Sequence, residues 1–378
     1  MVGHNTSQVS VSLVGGRVRL VMDEQVTDLH QNWLRDMSEE PGQIEPTNRQ
    51  RLFTPLDIPS DLSCTACDLR DDLLVVNFSD GHRASYPLNR LLLALGWLAD
   101  SEERPDPEPW DRPFEPFPYV DWSGIGWSEI EQDTPSVLAM IDALTRHGFV
   151  ILRGTPTELG TVRRIANRLG YLVPTNFGEI FDVRAEPLPA DLAYTAIGLV
   201  AHTDLPYRRP VPGIQLLHCL SNDSPGGDST LVDGLAAAGA LATVDPQAHA
   251  ALASTEVIYR YDIGSDTVVG RGLTLEYDQF GRFRQVRLNP KLDSPVVREG
   301  HDLDAFYRGR RWLVEWLNDS AHKVTFRLEP GDVMFMDNHR ILHGRTAFDT
   351  ASGSRHLQGC YIEHDGPDTM YRLAVRRG

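Results

Sequence analysis

Apolar and polar residues alternate over much of the first hundred positions. "VSLVGGRVRLVM" and "DLLVVNFSDGHRASYPL" carry this two-residue period between turn residues, which predicts short strands in a small β-rich module, with "SDGH" at 79–82 as a hairpin turn. The acidic, proline-rich "ADSEERPDPEPWDRPFEPFPYV" that follows breaks both periodicities, because proline cannot hold a helix interior or an inner strand. The expected organisation is therefore a β-rich N-terminal domain over 1–105, a linker over 106–118 and a larger domain over 119–378.

The larger domain opens with "TPSVLAMIDALTRHGFVILRG", an amphipathic helix that runs into a strand with His147-Gly148 as the break. "ELGTVRRIANRLGYL" predicts a second helix. Beyond Tyr194, short apolar runs alternate with Gly/Pro turns, interrupted by helical patterns near 234–253 and 302–319. Many short strands flanked by helices predict a mainly β fold, a jelly-roll of two facing sheets.

Composition narrows the function classes. At 378 residues, with 41% hydrophobic and 24% charged positions, the chain has the make-up of an ordinary globular protein. A net charge of -17 argues against nucleic-acid backbones and anionic membranes, both of which need basic surface. No apolar run approaches a membrane span and the N-terminus lacks a basic-then-apolar leader, so the expected location is the cytoplasm. Cys64, Cys67, Cys219 and Cys360 are too scattered for a disulfide scaffold and are expected to be reduced.

Candidate chemistry begins at "LVAHTDLPYRRPVPGIQLLHCL", residues 199–220. In a strand, His202 and Asp204 share a face, and Pro206, Pro210 and Pro212 force an irregular loop past them. Downstream, "LEPGDVMFMDNHRILHGRTAF" offers two histidines. His343 follows Ile341 and Leu342, where a strand aims it inward, whereas His339 lies among turn residues and is assigned to the surface. His202, Asp204 and His343 make the two-histidine, one-carboxylate set that holds non-haem iron(II) and leaves positions open for a cosubstrate and dioxygen. Arg355, twelve residues after His343 and expected on the adjacent strand, offers a guanidinium fork for the far carboxylate of 2-oxoglutarate. A zinc hydrolase or isomerase on the same ligands is the distant alternative. A binding module without catalysis is the third reading. His218 and Cys219 are assigned to packing, one facing inward and one outward.

"AYTAIGLVAHTDLPYRRPVPGIQLLHCLSNDSPGGDSTLVDG", "LEPGDVMFMDNHRILHGR" and "SRHLQGCY" resemble the γ-butyrobetaine and trimethyllysine hydroxylase branch of the TauD-like Fe(II)/2-oxoglutarate dioxygenases. The resemblance implies a double-stranded β-helix, iron on His202, Asp204 and His343, and 2-oxoglutarate held by Arg355 with help from Ser229. It implies a reaction that couples decarboxylation of 2-oxoglutarate to oxidation of an unactivated carbon, and a homodimer. It also implies an aromatic cage for a trimethylammonium group at Phe177, Phe181, Tyr194 and Tyr361, with polar positions at Asp191 and Asn289.

Three departures modify the expectation. Asp191 stands where the butyrobetaine enzymes place an asparagine for the substrate carboxylate, and Glu179 adds an acid near the expected cage. The expected substrate is thus a small cationic metabolite with a different head group, which Arg208 and Arg209 would receive if it is anionic. γ-Butyrobetaine itself, or desaturation or cyclisation on the same scaffold, are the alternatives. The N-terminal module keeps His82 but lacks the family's cysteine cluster after "WLRD", so a structural zinc is not expected.

Overall fold

The computed structural model describes residues 9–99, 102, 104–113, 117–122, 134–184, 195–263, 266–349 and 353–377. Contacts divide the chain into two compact units, Met1–Asp100 and Ser101–Gly378. In the first, β1 (Val9–Val14), β2 (Arg17–Met22) and β3 (Gln25–Leu29) form one antiparallel sheet, and β4 (Cys64–Arg70), β5 (Leu73–Phe78) and β6 (Arg83–Pro87) another. Their alternate apolar positions bury Val18, Leu20, Leu74, Val76 and Phe78 against Leu34 of α1 (Gln31–Asp36) and Leu91 of α2 (Leu88–Ala94). The turn at 79–82 joins β5 to β6, with Gly81 at a positive φ of 83°. Cys64 and Cys67 lie on either side of a bulge in β4, opposite Phe78 and Val76, so both face the unit's core; Cys64 is buried and Cys67 half-buried. His82 Nε2 lies 2.9 Å from the Ser38 hydroxyl.

The second unit is mainly β with several helices. A six-stranded sheet has the order β7 (Tyr119–Asp121), β8 (Phe149–Arg153), β19 (Val333–Asp337), β11 (Ile214–Asn222), β21 (Arg355–Ile362) and β9 (Phe181–Arg184). A four-stranded sheet has the order β10 (Leu199–His202), β20 (Ile341–Arg345), β12 (Ser229–Asp233) and β18 (Val324–Phe326). Between β12 and β18 the chain inserts α5 (Gly234–Val244), α6 (Pro246–Leu252), the antiparallel set β13 (Val257–Ile263), β14 (Asp266–Gly272) and β17 (Asp293–Pro295), the pair β15 (Leu275–Tyr277) and β16 (Phe283–Val286), and α7 (Leu303–Asn318).

The sequence of the large sheet reflects its place in the middle. Val150, Leu152, Leu216 and Phe335 pack with Ile141 and Leu144 of α3 (Thr134–His147) and with Ile165 of α4 (Thr161–Leu169). Their neighbours in sequence, Phe149, Ile151, Leu217, Met334 and Met336, pack with Leu231 and Ile341 of the small sheet. Both faces are covered, so "FVIL" and "VMFM" are continuous apolar runs rather than alternating ones. The same sandwiching explains His218 and Cys219, which are both fully buried rather than one in and one out, since β11 is a central strand.

The acidic segment expected to be a linker belongs to the second unit over its described part. Trp110 is buried; its backbone N–H donates to Asp233 Oδ2 at 3.0 Å and its indole to the His147 carbonyl at 2.9 Å. Asp233 in turn pairs with Arg340 at 2.7 Å, and Arg340 donates to the Glu108 carbonyl at 2.7 Å. A proline-rich stretch cannot join a sheet, but its carbonyls and N–H groups are free to satisfy this buried ion pair.

Gly148 turns α3 into β8 at a φ of +78°, and a Cβ there would lie 2.6 Å from Ile341 Cδ1. Gly148→Ala therefore combines left-handed strain with overpacking. It is expected to cost about 1–3 kcal/mol, read as a lower urea midpoint for the second unit's transition.

Candidate metal centre and active site

The antiparallel register of β10 and β20 sets His202 directly opposite His343. Residues so paired present their side chains on one face, and the two imidazole centroids are 4.4 Å apart. Asp204 joins them from just beyond the strand. Thr203 is pinned there, its backbone N–H donating to the Leu288 carbonyl at 2.9 Å and its hydroxyl accepting from Leu288 N–H at 3.0 Å. The Asp204 N–H donates to Asn338 Oδ1 at 2.7 Å, and Asn338 Nδ2 donates back to the Asp204 carbonyl at 3.1 Å and to that of Pro212 at 3.0 Å. The "DNHR" turn thus carries a fully buried asparagine that clamps the loop.

The Asp204 carboxylate is divided between two tasks. Oδ1 lies 3.4 Å from His202 Nε2 and 3.7 Å from His343 Nε2. Oδ2 accepts from Gln215 Nε2 at 2.5 Å and from the Tyr361 hydroxyl at 2.7 Å. Burial works against the carboxylate, but the neighbouring His343 and His202 and the Tyr361 hydroxyl outweigh it and hold the group well below the usual range. Burial pushes His343 down to about 4, so its ring is neutral at neutral pH. His202 Nδ1 lies 2.9 Å from the Val200 carbonyl, which makes Nδ1 a donor there and leaves Nε2 as the nitrogen turned toward Asp204.

This donor set fits a cation. Nε2 of each histidine faces Asp204 Oδ1, and all three ligand atoms fall within 4.8 Å of one another. Two nitrogens and one oxygen on one side suit a first-row ion with open positions better than a closed structural zinc site.

Arg355 lies at the start of β21, opposite Asn222 of β11. It is thus in the other sheet from His343, not on an adjacent strand, because the chain crosses between sheets after β20. Its guanidinium is buried, makes no hydrogen bond or ion pair with any described residue, and stands 5.6 Å from the Phe348 ring centroid. Burial lowers its pKa without neutralising it at neutral pH. A buried unpaired guanidinium is costly and fits an anionic ligand. Gly227 makes room for it, since a Cβ there would lie 2.9 Å from Arg355 Cδ. "GGDS" thus carries a glycine in contact with Arg355, while its Ser229 is buried on β12, paired in register with Arg345. Arg345, which the sequence reading missed, is two residues past His343, donates to the Ile197 carbonyl at 3.4 Å and stands 5.2 Å over the same Phe348 ring. The i, i+2 spacing in "HGR" was its only signal.

Three of the four expected cage rings fall together. Phe181 stacks on Tyr361 at 5.4 Å and lies 6.3 Å from Phe177. Tyr261, 5.9 Å from Phe177, and Tyr207, stacked on Tyr261 at 5.1 Å, extend the cluster and come from elements the motifs did not mark. Tyr194 and Asp191 lie outside the described residues. Asn289 follows Leu288, and its Oδ1 accepts from the Lys291 N–H at 3.3 Å. Glu179 forms an exposed ion pair with Arg163 at 2.6 Å. Arg208 donates to the Pro174 carbonyl at 2.9 Å. His339 is not a surface residue; it is half-buried, with Nε2 2.9 Å from the Val211 carbonyl.

Tyr361 belongs to both groups, with its ring among the aromatics and its hydroxyl on Asp204. Tyr361→Phe keeps the ring and removes the bond. It is expected to weaken iron(II) binding roughly 10–100-fold, the usual effect of losing a group that orients a ligand, in anaerobic equilibrium titration.

Comparison with known proteins agrees with this geometry. Residues 111–361 match the family described as "Taurine catabolism dioxygenase TauD, TfdA family". The chain is 35% identical to a gamma-butyrobetaine dioxygenase of Pseudomonas sp. (strain AK-1), over 98% of this chain and 94% of that one. It is 28% identical to a trimethyllysine dioxygenase of Neurospora crassa, over 88% and 78%. Among solved structures, a putative alpha-ketoglutarate-dependent taurine dioxygenase from Burkholderia xenovorans superposes with a TM-score of 0.51 at 15% identity, covering 68% of this chain and 94% of that one, a likeness of fold. With two facing sheets, a paired His-x-Asp and histidine, and a family match over most of the second unit, the chain belongs to the TauD, TfdA dioxygenase family, within its γ-butyrobetaine and trimethyllysine dioxygenase branch.

Proposed function

We propose that the two sheets of the second unit form a double-stranded β-helix, and that the chain is an iron(II)- and 2-oxoglutarate-dependent dioxygenase. In this reading it hydroxylates an unactivated carbon of a small cationic metabolite, a trimethylammonium or amine compound related to γ-butyrobetaine but with a different head group. One observation carries the proposal: the convergence of His202, His343 and one oxygen of Asp204, together with a buried Arg355 that has no hydrogen-bond or ion-pair partner among the described residues.

His202, Asp204 and His343 would hold the iron, which when bound supplies the dioxygen chemistry that links 2-oxoglutarate decarboxylation to oxidation of a C–H bond. Gln215 and Tyr361 keep Asp204 Oδ2 occupied, so the carboxylate offers one oxygen and the other positions stay open. Arg355, with Ser229, would fix the far carboxylate of 2-oxoglutarate. Phe177, Phe181 and Tyr361, with Tyr194, would receive the cation, because a quaternary ammonium has no hydrogen to donate and is held by ring quadrupoles. Asp191 and Asn289 would meet the other end of the substrate. A second reading, γ-butyrobetaine as the substrate itself, is favoured by the 35% identity to the Pseudomonas enzyme.

The test is anaerobic addition of iron(II) and 2-oxoglutarate followed by optical absorption, and then a screen of trimethylammonium compounds and amines for succinate release. A weak visible band that needs both additions supports the class, and its absence with zinc bound instead would sink it. If γ-butyrobetaine outperforms every analogue, the head-group assignment fails and the second reading stands.

A further inference from the structure

A second cluster of metal-binding side chains lies at the end of the large sheet. Asp337 closes β19, His339 follows in the turn and His364 lies just past β21, and one ligand atom from each falls within 4.8 Å of the others. β19 and β21 are not neighbours; they flank β11, and Ile214 at the start of β11 pairs with both Asp337 and Ile362. The three side chains therefore reach across the end of one strand. The backbone there is bare at Gly213, where a Cβ would lie 2.6 Å from His364 Nδ1.

We propose that Asp337, His339 and His364 bind a second divalent cation of the zinc type, separate from the iron site. His364 Nε2 stands 3.0 Å from Asp337 Oδ1, roughly the separation of two ligands on one ion with bonds near 2.1 Å. His339 Nε2 is turned to the Val211 carbonyl at 2.9 Å, which leaves Nδ1 as the donor; a ligating imidazole commonly gives its other N–H to a backbone carbonyl in this way. The two rings are 4.9 Å apart and tilted by 47°. All three residues are half-buried, so water can complete the coordination. The surrounding charges are mixed: Glu363 and Asp368 add acid, while Arg104 and Arg287 add base. Two nitrogens and one oxygen select zinc, cobalt or nickel over calcium or magnesium, which prefer all-oxygen sites.

The place of the site gives it a use. Asn338, between two of its ligands, is the residue that clamps the Asp204 backbone and the Pro212 carbonyl. An ion bound to Asp337 and His339 stiffens that turn, and with it the loop that presents Asp204.

The site is tested on the full chain stripped of metal, with zinc(II) alone as the probe in a calorimetric titration. A His202→Ala/His343→Ala background removes the iron site and is expected to retain one equivalent of zinc. Adding His339→Gln, which leaves the Asp337–His364 pair in place, is expected to weaken that equivalent at least tenfold, and Asp337→Asn to do the same. Thermal melts confirm that each chain is folded, and cobalt(II) in place of zinc is expected to give visible bands that vanish with either substitution. The proposal is overturned if the background binds no zinc, or if its remaining equivalent survives His339→Gln and Asp337→Asn unchanged. Neither outcome touches the iron reading, because the retained ion is measured with that site removed.

Discussion

Replacing His343 with alanine is expected to weaken iron(II) binding by more than about 100-fold and to reduce succinate release to background. Losing a group that merely orients a ligand costs roughly 10–100-fold in metal affinity, and losing a ligand outright exceeds that. Among the described residues the geometry leaves no understudy: His202 Nε2 and Asp204 Oδ1 are the other members of the cluster, and Asp204 Oδ2 is already committed to Gln215 and Tyr361. His339 cannot substitute, since it lies with Asp337 and His364 in a separate cluster. The metal-free variant is expected to keep its fold, because His343 Nδ1 makes no hydrogen bond that would be lost. Anaerobic iron titration beside a thermal melt checks both halves. Unaltered iron affinity in a folded variant would remove His343 from the ligand set.

Arg355→Ala carries the second large effect, and it falls on a different quantity. Two charge-assisted hydrogen bonds from a buried guanidinium are together worth about 3–5 kcal/mol, which is roughly a 150- to 4000-fold rise in the KM for 2-oxoglutarate. Iron affinity should change little, since Arg355 lies in the other sheet from both histidines. Arg355→Lys should recover only part of the loss, because an ammonium offers a point charge where a planar fork can hold both carboxylate oxygens. Titrating 2-oxoglutarate against the visible band, with iron held saturating, separates this effect from that of His343→Ala. Equal 2-oxoglutarate affinity in native and Arg355→Ala chains would assign the cosubstrate to another cation, of which Arg345 is the nearest candidate on the same ring.

The two predictions meet at Tyr361, whose ring packs on Phe181 while its hydroxyl holds Asp204. Its phenol is held well above its ordinary pKa, first by burial and then by the adjacent carboxylate, so it remains a donor throughout the neutral range. Sequence comparison suggested a cage residue here; the hydrogen bond adds a role in posing the metal carboxylate.

The sequence by itself determined the elements and the chemistry that local order can encode. The helix-to-strand break at Gly148, the hairpin at 79–82 and the helices of the insertion follow from periodicity and turn residues, which act over a few positions. His202 was legible at the end of its strand, whereas Asp204 lies just beyond β10 and is posed there by Thr203 and the Asn338 clamp. His343 was legible from the apolar run that leads into it. Only the tertiary structure decided what depends on partners distant in the chain. It put Arg355 in the opposite sheet from His343, buried both faces of β11 and so both His218 and Cys219, and drew the acidic segment onto the Asp233–Arg340 pair. It also moved His339 from the expected surface to the Val211 carbonyl and paired Glu179 with Arg163. The physical reason is the same throughout: a strand's own residues say which side chains share a face, but which sheet lies over that face, and which buried charge needs a distant carbonyl, is settled when the layers pack.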